Sequence, residues 1–409
     1  MKTLCVMLAS LFLISGISSP AISSAKTLYL GGAFSLTGAY AEDCAAVLSA
    51  FEDYARYVNE TKQLAPWRSE RFPQDITLEV LWRDDELKPA KALSIYDELK
   101  AKGLLVFSVT GSGQAIALKE RLEKEGMGSV SLVSGSFLLK PPGTIFTNYA
   151  IYTDCLAAIA DWFKSRWKER RNPRVAYITA DNPMGKSIEI PEMETYLKNI
   201  GYEFIGRQYV PLIATTPPTT QLMWLKENKV DLAIGVMINP SLQPTLKEAL
   251  RLGMGENREY RITFGGVGTA QVNDLVRDLG EVADGYVSAG SLLPWADPSP
   301  GVRFCLDLQK RYRSKPIACI TYQAGVILAM IQTEALRLAL SEIPYEKLTP
   351  RAVLEHGFYR IRNLDTGELT ATPLTFGPGK VEGTDKVLLI QVQKGKPVKL
   401  GLWPCRHIY

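Results

Sequence analysis

Short apolar runs alternate with longer amphipathic segments along most of this 409-residue chain. Segment 27–34 is a short apolar run, which favours a strand, and 41–59 has apolar residues at intervals of three or four positions, which predicts a helix. The alternation continues with predicted strands at 76–82, 104–109 and 129–133 and predicted helices at 88–102 and 114–125. Such a pattern predicts a parallel sheet covered by helices on both faces.

The alternation of strands and helices restarts after a boundary at 141–150. Predicted helices then occupy 155–167, 186–200, 219–228 and 242–252, and predicted strands occupy 174–179, 204–210, 231–236 and 261–264. A long helix at 322–341 and strands at 386–393 and 397–400 complete the predicted elements. The sequence therefore predicts two α/β lobes of similar size, and a cleft between two lobes is a usual place for a small ligand.

The first 25 residues have the pattern of a secretory signal peptide. Lys2 precedes an apolar run from Cys5 to Ile17, and the small residues Ser23-Ser24-Ala25 follow it. The run is shorter than the ~20 apolar residues that a membrane-spanning helix needs. We therefore expect cleavage after Ala25 and a soluble, exported chain.

Charge and residue counts restrict the function classes. The chain has 47 basic and 43 acidic residues, a net charge of +4, which is too mild to indicate a nucleic-acid partner. Its two histidines are His356 and His407, so a site built on several histidines is nearly excluded. After removal of the signal peptide the cysteine number is odd, and no pair has the CxxC spacing of a zinc site. We expect no cofactor and no metal site, while one or two disulfides and buried thiols both remain open.

Small polar residues follow two predicted strands of the first lobe. The first loop contains Thr110, Ser112 and Gly113, and the second is Ser134-Gly135-Ser136. Hydroxyls and backbone N–H groups at a helix N-terminus can hold a carboxylate at this edge of a sheet. The alternative for the first loop is an ordinary turn in which Ser112 caps the helix, and the sequence does not decide between the two.

Neither loop matches a nucleotide-binding or hydrolase motif. Ile116 stands where a dinucleotide-binding fingerprint requires glycine. The serines at 134 and 136 lack the Gly-x-Ser-x-Gly frame, and the first 355 residues contain no histidine. Serine hydrolysis is therefore disfavoured, and we expect no catalytic residues.

Three further segments are candidates for ligand contact. Met184, Asn239 and Gly266 follow or end predicted strands of the second lobe, at the edge that faces the cleft. Four aromatic residues near these edges could wall an apolar pocket, although such residues more often belong to the core: Tyr40, Phe137, Tyr149 and Tyr152. Asp84-Asp85-Glu86 could bind a cation, but a solvated turn is favoured.

The chain resembles type I periplasmic solute-binding proteins of the branched-chain amino-acid and amide ABC importers. The similar segments are Gly32 to Gly38 with its Leu-Thr-Gly, Asp84-Asp85 with Pro89-Ala90, the loops at 111–114 and 134–136, Asp181 to Gly185, and Leu374 to Pro378. Their order covers essentially the whole mature chain. The resemblance implies two Rossmann-like doubly wound lobes joined by three crossovers. It places 26–147 and about 288–345 in the first lobe, and 148–287 and about 346–409 in the second.

The resemblance also implies a function. The protein would close over a small carboxylate-bearing ligand (an amino acid, aromatic acid or amide) and deliver it to an inner-membrane ABC permease, as a periplasmic monomer. Family members use an aromatic residue where this chain has Met184, and a carboxylate within a stretch that here reads Gly265-Gly266-Val267. These departures favour a ligand without a free amine, because an unpaired buried ammonium is costly.

Two rival functions remain at this stage. The same fold also occurs in sensors that pass their ligand to a membrane signalling protein, and the sequence leaves this alternative open. An exported hydrolase is less favoured, although a carboxylate pair such as Asp84 and Asp181 is not excluded by the sequence.

Overall fold

The computed structural model describes residues 26–268, 272–290 and 292–409. The predicted signal peptide, residues 1–25, lies outside the described residues. The first 150 residues supply strands β1 (Lys26–Phe34), β2 (Ile76–Asp84), β3 (Phe107–Val109), β4 (Ser129–Ser131) and β5 (Ile145–Thr147), with helices α1 (Ala41–Thr61), α2 (Pro89–Ala101) and α3 (Ser112–Glu125).

The middle of the chain supplies the second lobe. Its helices are α4 (Tyr152–Ser165), α5 (Pro183–Lys186), α6 (Pro191–Asn199), α7 (Thr219–Glu227), α8 (Asn239–Arg251) and α9 (Val272–Leu279). Its strands are β6 (Arg174–Ala180), β7 (Glu203–Val210), β8 (Leu232–Gly235), β9 (Met254–Gly255), β10 (Tyr260–Arg261), β11 (Thr263–Val267) and β12 (Val287–Gly290). Proline residues fix several helix starts. The helix predicted at 186–200 begins only at Pro191, as α6, because the proline ring favours the first turn of a helix.

The last third of the chain supplies elements to both lobes. These are α10 (Pro300–Tyr312), α11 (Thr321–Glu342), α12 (Pro350–His356), β13 (Lys386–Gln393) and β14 (Lys396–Pro404). Helices α10 and α11 pack on α1 of the first lobe, whereas β13 joins the sheet of the second lobe. The chain therefore passes between the lobes three times: after β5, after β12 and before β13.

Each lobe is built on a sheet whose core strands are parallel. In the first lobe β1 pairs with β2, and β3, β4 and β5 pair in that order. In the second lobe the strand order is β14-β13-β12-β11-β8-β6-β7, and β13 runs antiparallel to both β12 and β14. The predicted α/β fold with two doubly wound lobes and three crossovers is confirmed.

Strands β1 and β3 are held side by side by a buried glutamine of α11. The side-chain amide of Gln332 accepts the N–H of Gly31 at 3.0 Å and donates to the carbonyl of Gly31 at 3.3 Å and to the hydroxyl of Ser108 at 2.9 Å. A Cβ atom on Gly32 would lie 2.4 Å from the backbone of Ser108, so only glycine permits this approach. The pair β1-β2 and the three strands β3-β4-β5 of the first lobe thus lie side by side in one layer.

Helix α11 is long and apolar enough to cross a membrane by length and composition. Its most hydrophobic window is 78% buried within the protein, where it packs along α1. Its apolar character is therefore explained by its place in the core of the first lobe.

One segment packs differently from the predicted division into lobes. That prediction places 346–409 in the second lobe. Helix α12 instead packs on α11, and Phe358 stacks on Phe146 of β5 with ring centroids 4.8 Å apart. Phe376 contacts the same ring at 5.2 Å. Because these apolar rings are buried against β5, residues 350–376 pack with the first lobe, and the other predicted boundaries stay predictions.

We expect Gln332→Leu to lower the free energy of unfolding by at least about 2 kcal/mol, because an unsatisfied buried N–H or carbonyl costs about 1–3 kcal/mol. The measurement is a urea titration followed by circular dichroism. Gln74→Leu, in the exposed turn before β2, is the control and should shift stability by less than about 0.5 kcal/mol. Equal unfolding midpoints for Gln332→Leu and the unchanged protein would show that the amide does not hold the two strands.

Candidate functional site

A cavity of about 530 Å³, partly open to solvent, lies between the two lobes. Most of its wall is apolar, and its lining residues come from both lobes and from the crossovers. They are Tyr40, Asp43, Thr110, Leu132, Val133, Asn148, Tyr149, Met184, Ile238, Gly268, Leu292, Thr321 and Ala324. A concave, largely apolar space of this size with a few polar groups is typical of a small-molecule site.

The two lobes touch at the cavity and at its rim. The hydroxyl of Tyr40, just before α1, donates to the sulfur of Met184 on α5 at 3.2 Å. The hydroxyl of Ser136 donates to the carbonyl of Ser187 at 2.6 Å, and Lys140 forms an exposed ion pair with Glu192 at 3.0 Å. These contacts place the lobes in a closed arrangement around the cavity.

Asn148 supplies an unpartnered polar side chain to the cavity wall. It lies in the first crossover, directly after β5, and is fully buried. Its side-chain oxygen and nitrogen have no hydrogen-bond partner among the described residues. Because a buried unsatisfied amide is costly, this side chain is a strong candidate for hydrogen bonding to a ligand.

A buried hydrogen-bond network fixes the position of Thr110 beneath the cavity. The Thr110 hydroxyl oxygen accepts the N–H of Ser35 at 3.1 Å, and the Ser35 hydroxyl donates to Asp85 at 2.7 Å. The side-chain amide of Gln114 donates to the Ser35 hydroxyl at 3.2 Å. Asp85 is fully buried, and burial raises its pKa, so the solvated turn favoured by the sequence is wrong for this residue. Through these hydrogen bonds the acidic turn after β2 instead connects the loops that follow β1 and β3.

Three of the ten predicted ligand-binding residues line the cavity: Tyr40, Thr110 and Met184. The ligand-binding role of all ten stays a prediction, and the structure favours these three. Thr110 was predicted from its place after a strand, and Tyr40 only as one of several aromatic candidates. Members of the family that this chain resembles have an aromatic residue at the position of Met184. Here a thioether side chain lines the cavity instead.

The second predicted loop, Ser134-Gly135-Ser136, lies beside the cavity without lining it. The Ser134 hydroxyl is 3.1 Å from that of Thr147, and Ser136 is bonded across the cleft as described above. A Cβ atom on Gly135 would lie 2.3 Å from the ring of Phe137. Protein groups therefore already occupy the hydrogen-bonding positions of this loop.

The first predicted loop also has a structural setting. Ser112 is the first residue of α3 and does not cap it, because Gly111 is at the N-cap and no side chain bonds there. The buried Ser112 hydroxyl has no hydrogen-bond partner within the described ranges. Gly113 lies against Pro89, where an added Cβ would be 3.2 Å from the proline ring.

Two second-lobe predictions fall outside the main cavity. Gly266 lies within β11, where an added Cβ would be 2.3 Å from the Tyr286 hydroxyl, so glycine is needed for packing. Asn239, at the start of α8, lines a second hollow between the lobes. Neither residue therefore lines the main cavity.

Asp43, like Asn148, is a polar site residue that the sequence analysis missed. It lies in the first turn of α1, where a carboxylate is ordinarily solvated, but here it lines both the main cavity and the second hollow. Burial raises the pKa of Asp43 to about 6. The cavity thus has a carboxyl group from the first lobe, although the position that the resemblance assigns to this group in the second lobe is occupied by glycines.

The second hollow brings acidic residues of the two lobes together. Glu42 and Asp43 of α1 face Asp274, Arg277 and Asp278 of α9 across it. Asp274 is buried and pairs with Arg277 at 2.9 Å, yet burial raises the pKa of its carboxyl to about 7. The nearby carboxylates of Glu42, Asp43 and Asp278 raise it further, whereas Arg277 lowers it.

Stability should therefore depend on pH through Asp274. Its pKa is 3.8 in the unfolded chain and about 7 in the folded protein, so the folded form holds the proton more tightly. The contribution of this group is fully present below about pH 4 and is lost as the pH rises through about 7. We expect the melting temperature to fall more steeply between about pH 5 and pH 8 in the unchanged protein than in Asp274→Asn.

Glu203→Gln, on β7 and not among the residues that line this hollow, is the control for this pH dependence. Hydrogen bonding to Arg174 lowers the pKa of Glu203, so this carboxyl stays ionised over the whole range and its replacement should leave the slope unchanged. Parallel melting curves against pH for the unchanged protein and Asp274→Asn would exclude the assignment.

Solved structures with the same architecture are numerous. A branched-chain amino acid ABC transporter protein from Thermus thermophilus with bound valine has a TM-score of 0.82 at 19% identity, covering 93% of this chain and 97% of that one. A fatty acid ABC transporter substrate-binding protein from Thermomonospora curvata has a TM-score of 0.76 at 20% identity, covering 94% of each chain. A solute-binding protein from R. palustris in complex with 4-hydroxybenzoate has a TM-score of 0.74 at 16% identity, covering 94% and 99%.

At these identities the solved structures show the fold. A search of curated proteins found no match. A sequence model of a protein family, described as periplasmic binding protein, matches residues 27–396, which is most of the chain. The chain therefore belongs to the periplasmic binding protein family.

Proposed function

We propose that this protein captures a small carboxylate-bearing solute between its lobes and delivers it unchanged to an ABC permease of the inner membrane. The observation that carries the proposal is the largely apolar interlobe cavity, into which the unpartnered amide of Asn148 projects. An apolar wall favours the body of an organic solute, and one convergent polar group fixes its orientation.

Closure of the lobes is the proposed mechanism. A solute in the cavity touches Tyr40 and Thr110 of the first lobe and Met184 and Ile238 of the second. It makes both sets of contacts only when the lobes are together, so binding shifts the population towards the closed state. A permease can then recognise the closed form.

Neutral groups are the proposed partners of the solute carboxylate. Among the described residues that line the cavity there is no lysine or arginine. The side-chain N–H₂ of Asn148 and the hydroxyl of Thr110 can donate hydrogen bonds to it. The Tyr40 hydroxyl can do so in place of its weak bond to the Met184 sulfur. Relatives of this fold are described with valine, with 4-hydroxybenzoate and as a fatty acid transporter component, and all of these solutes combine a carboxylate with an apolar body.

Asp43 separates two classes of such solutes. A solute with an ammonium group would pair with the ionised carboxylate of Asp43, which removes the cost of an unpaired buried charge. A solute without an amine binds while Asp43 is neutral, and its raised pKa makes that form accessible near pH 6. The expected location is the periplasm after cleavage of the predicted signal peptide, and the protein is expected to act as a monomer.

Calorimetric titration with valine, leucine, benzoate, 4-hydroxybenzoate and octanoate tests the proposed function. We expect at least one of these acids to bind, and Asn148→Leu to weaken that binding at least about 10-fold, equivalent to ~1.4 kcal/mol. Asn199→Leu, at the exposed end of α6, is the matched control and should bind as the unchanged protein does. Chemical conversion of a bound acid, or equal affinity in Asn148→Leu, would contradict the proposal.

Asp43→Asn distinguishes the two solute classes in the same titration. If the solute is an amino acid, this substitution should weaken binding strongly, because the ammonium loses its partner. If the solute is an acid without an amine, affinity should change little. Small-angle scattering with the binding acid should show compaction, and an unchanged radius of gyration would contradict closure.

A further inference from the structure

A second group of chemically reactive side chains lies away from the cavity, where the two lobes are joined. Ligand atoms of Asp154, Glu382 and Cys405 all lie within 4.8 Å of one another, and all three residues are buried. The ring Nδ1 of His407 is 3.9 Å from Oε2 of Glu382. Two carboxylates, a thiol and an imidazole thus converge from α4, from the third crossover and from the segment after β14.

Backbone hydrogen bonds hold this group in place. The Asp154 carboxylate accepts the N–H groups of Arg406, His407 and Ile408 at 3.2, 3.1 and 3.0 Å. Glu382 accepts the N–H of Ile151 at 2.9 Å through Oε1. These bonds leave lone pairs on both carboxylates, so each can accept a further partner.

The local charge is unbalanced. Within the described ranges neither Asp154 nor Glu382 forms an ion pair with a lysine or an arginine, and the side chain of Arg406 turns to Asp161 instead. Two carboxylates buried side by side are costly unless a cation compensates them or a proton neutralises one. In the part of the chain that the structure describes, the acceptors of the Cys405 thiol are distant: Oε1 of Glu382 at 3.9 Å and the carbonyl of Thr384 at 4.0 Å.

The donor types indicate which cation would fit. Calcium and magnesium prefer oxygen ligands alone, so a thiol and an imidazole disfavour them. Zinc is bound by cysteine sulfur, histidine nitrogen and carboxylate oxygen, four ligands in a tetrahedron. The low histidine count of the chain argues against a site of several histidines, and a site with one histidine satisfies that constraint.

We propose that Asp154, Glu382 and Cys405 bind one zinc ion, with His407 as the fourth ligand. Ligand atoms about 2.0–2.3 Å from a tetrahedral zinc lie about 3.3–3.8 Å apart, so the present group must contract by about 1 Å. The side chain of His407 is 56% exposed, which leaves it free to turn towards the ion and provides a route of entry. The thiol loses its proton on binding, so affinity falls as pH is lowered.

Bound zinc would fasten the lobe junction. Asp154 lies directly after the first crossover. Glu382 lies in the third crossover, where it forms an isolated parallel β-bridge with Thr147 of β5. The ion would join these two passages to the last residues of the chain. It would therefore add stability to the junction without entering the cavity.

Zinc calorimetry and cobalt spectroscopy of the chelator-treated protein test the proposal. We expect one zinc ion per chain, a rise in melting temperature with zinc, and a thiolate-to-cobalt charge-transfer band in the unchanged protein. Cys405→Ser should abolish the band, and Cys405→Ser, Glu382→Gln and His407→Ala should each weaken zinc binding at least about 10-fold. Cys305→Ser, which removes another buried thiol in α10, is the control and should keep both signals.

Several outcomes would overturn the assignment. Zinc that binds equally well to Cys405→Ser, or cobalt that binds without a charge-transfer band, would indicate an unrelated surface site. Unchanged affinity in His407→Ala would remove His407 as a ligand. The cobalt band is read in the unchanged protein, so the test stands even if a variant fails to fold, which melting curves without metal would reveal.

Discussion

The side-chain amide of Gln332 is the interaction on which the first lobe depends. Strands β1 and β3 approach too closely for any residue but glycine at position 32, and the glutamine satisfies backbone groups of β1 that face this junction. The loops that follow these two strands carry Ser35 and Thr110. The floor of the cavity is therefore set by a residue of a helix almost three hundred positions further along the chain.

Helix α11 connects this junction to the rest of the site. A second buried glutamine, Gln323, bonds to both backbone groups of Leu293 at 3.1 and 2.9 Å, in the second crossover. The same helix turns Thr321 and Ala324 to the cavity. One apolar helix thus positions a sheet, a crossover and part of the wall, which explains why it is long and almost entirely buried.

Much of the fold follows from local patterns. The predicted strand at 27–34 is β1 to within one residue, and the predicted helix at 322–341 is α11, because burial and periodicity agree there. Strand β5, only three residues long, lies in the stretch that was predicted as a boundary, since so short a strand has no period to detect. The segment 350–376 packs against β5 and α11 because aromatic contacts on Phe146 join residues that are distant in sequence, and no local pattern indicates such contacts.

The site was only partly predictable for the same physical reason. Thr110 was found because polar residues after parallel strands share one edge. Asp43 resembles any acidic residue in a first helical turn, and Asn148 lies in a crossover that has no periodicity. Both residues line the cavity only because the two lobes come together around it. A hydrophobic pattern along the chain does not predict which surfaces meet in this way.

The contacts that span the cleft have a thermodynamic consequence. Tyr40 donates to a sulfur, a weak acceptor, and the Lys140 pair is exposed, so only the Ser136 bond is of ordinary strength. Together these three contacts favour the closed arrangement by about 1–3 kcal/mol. The apparent dissociation constant is the intrinsic one divided by the fraction of molecules already competent to bind. Residues at the rim that never touch the solute therefore set part of the affinity with which it is held.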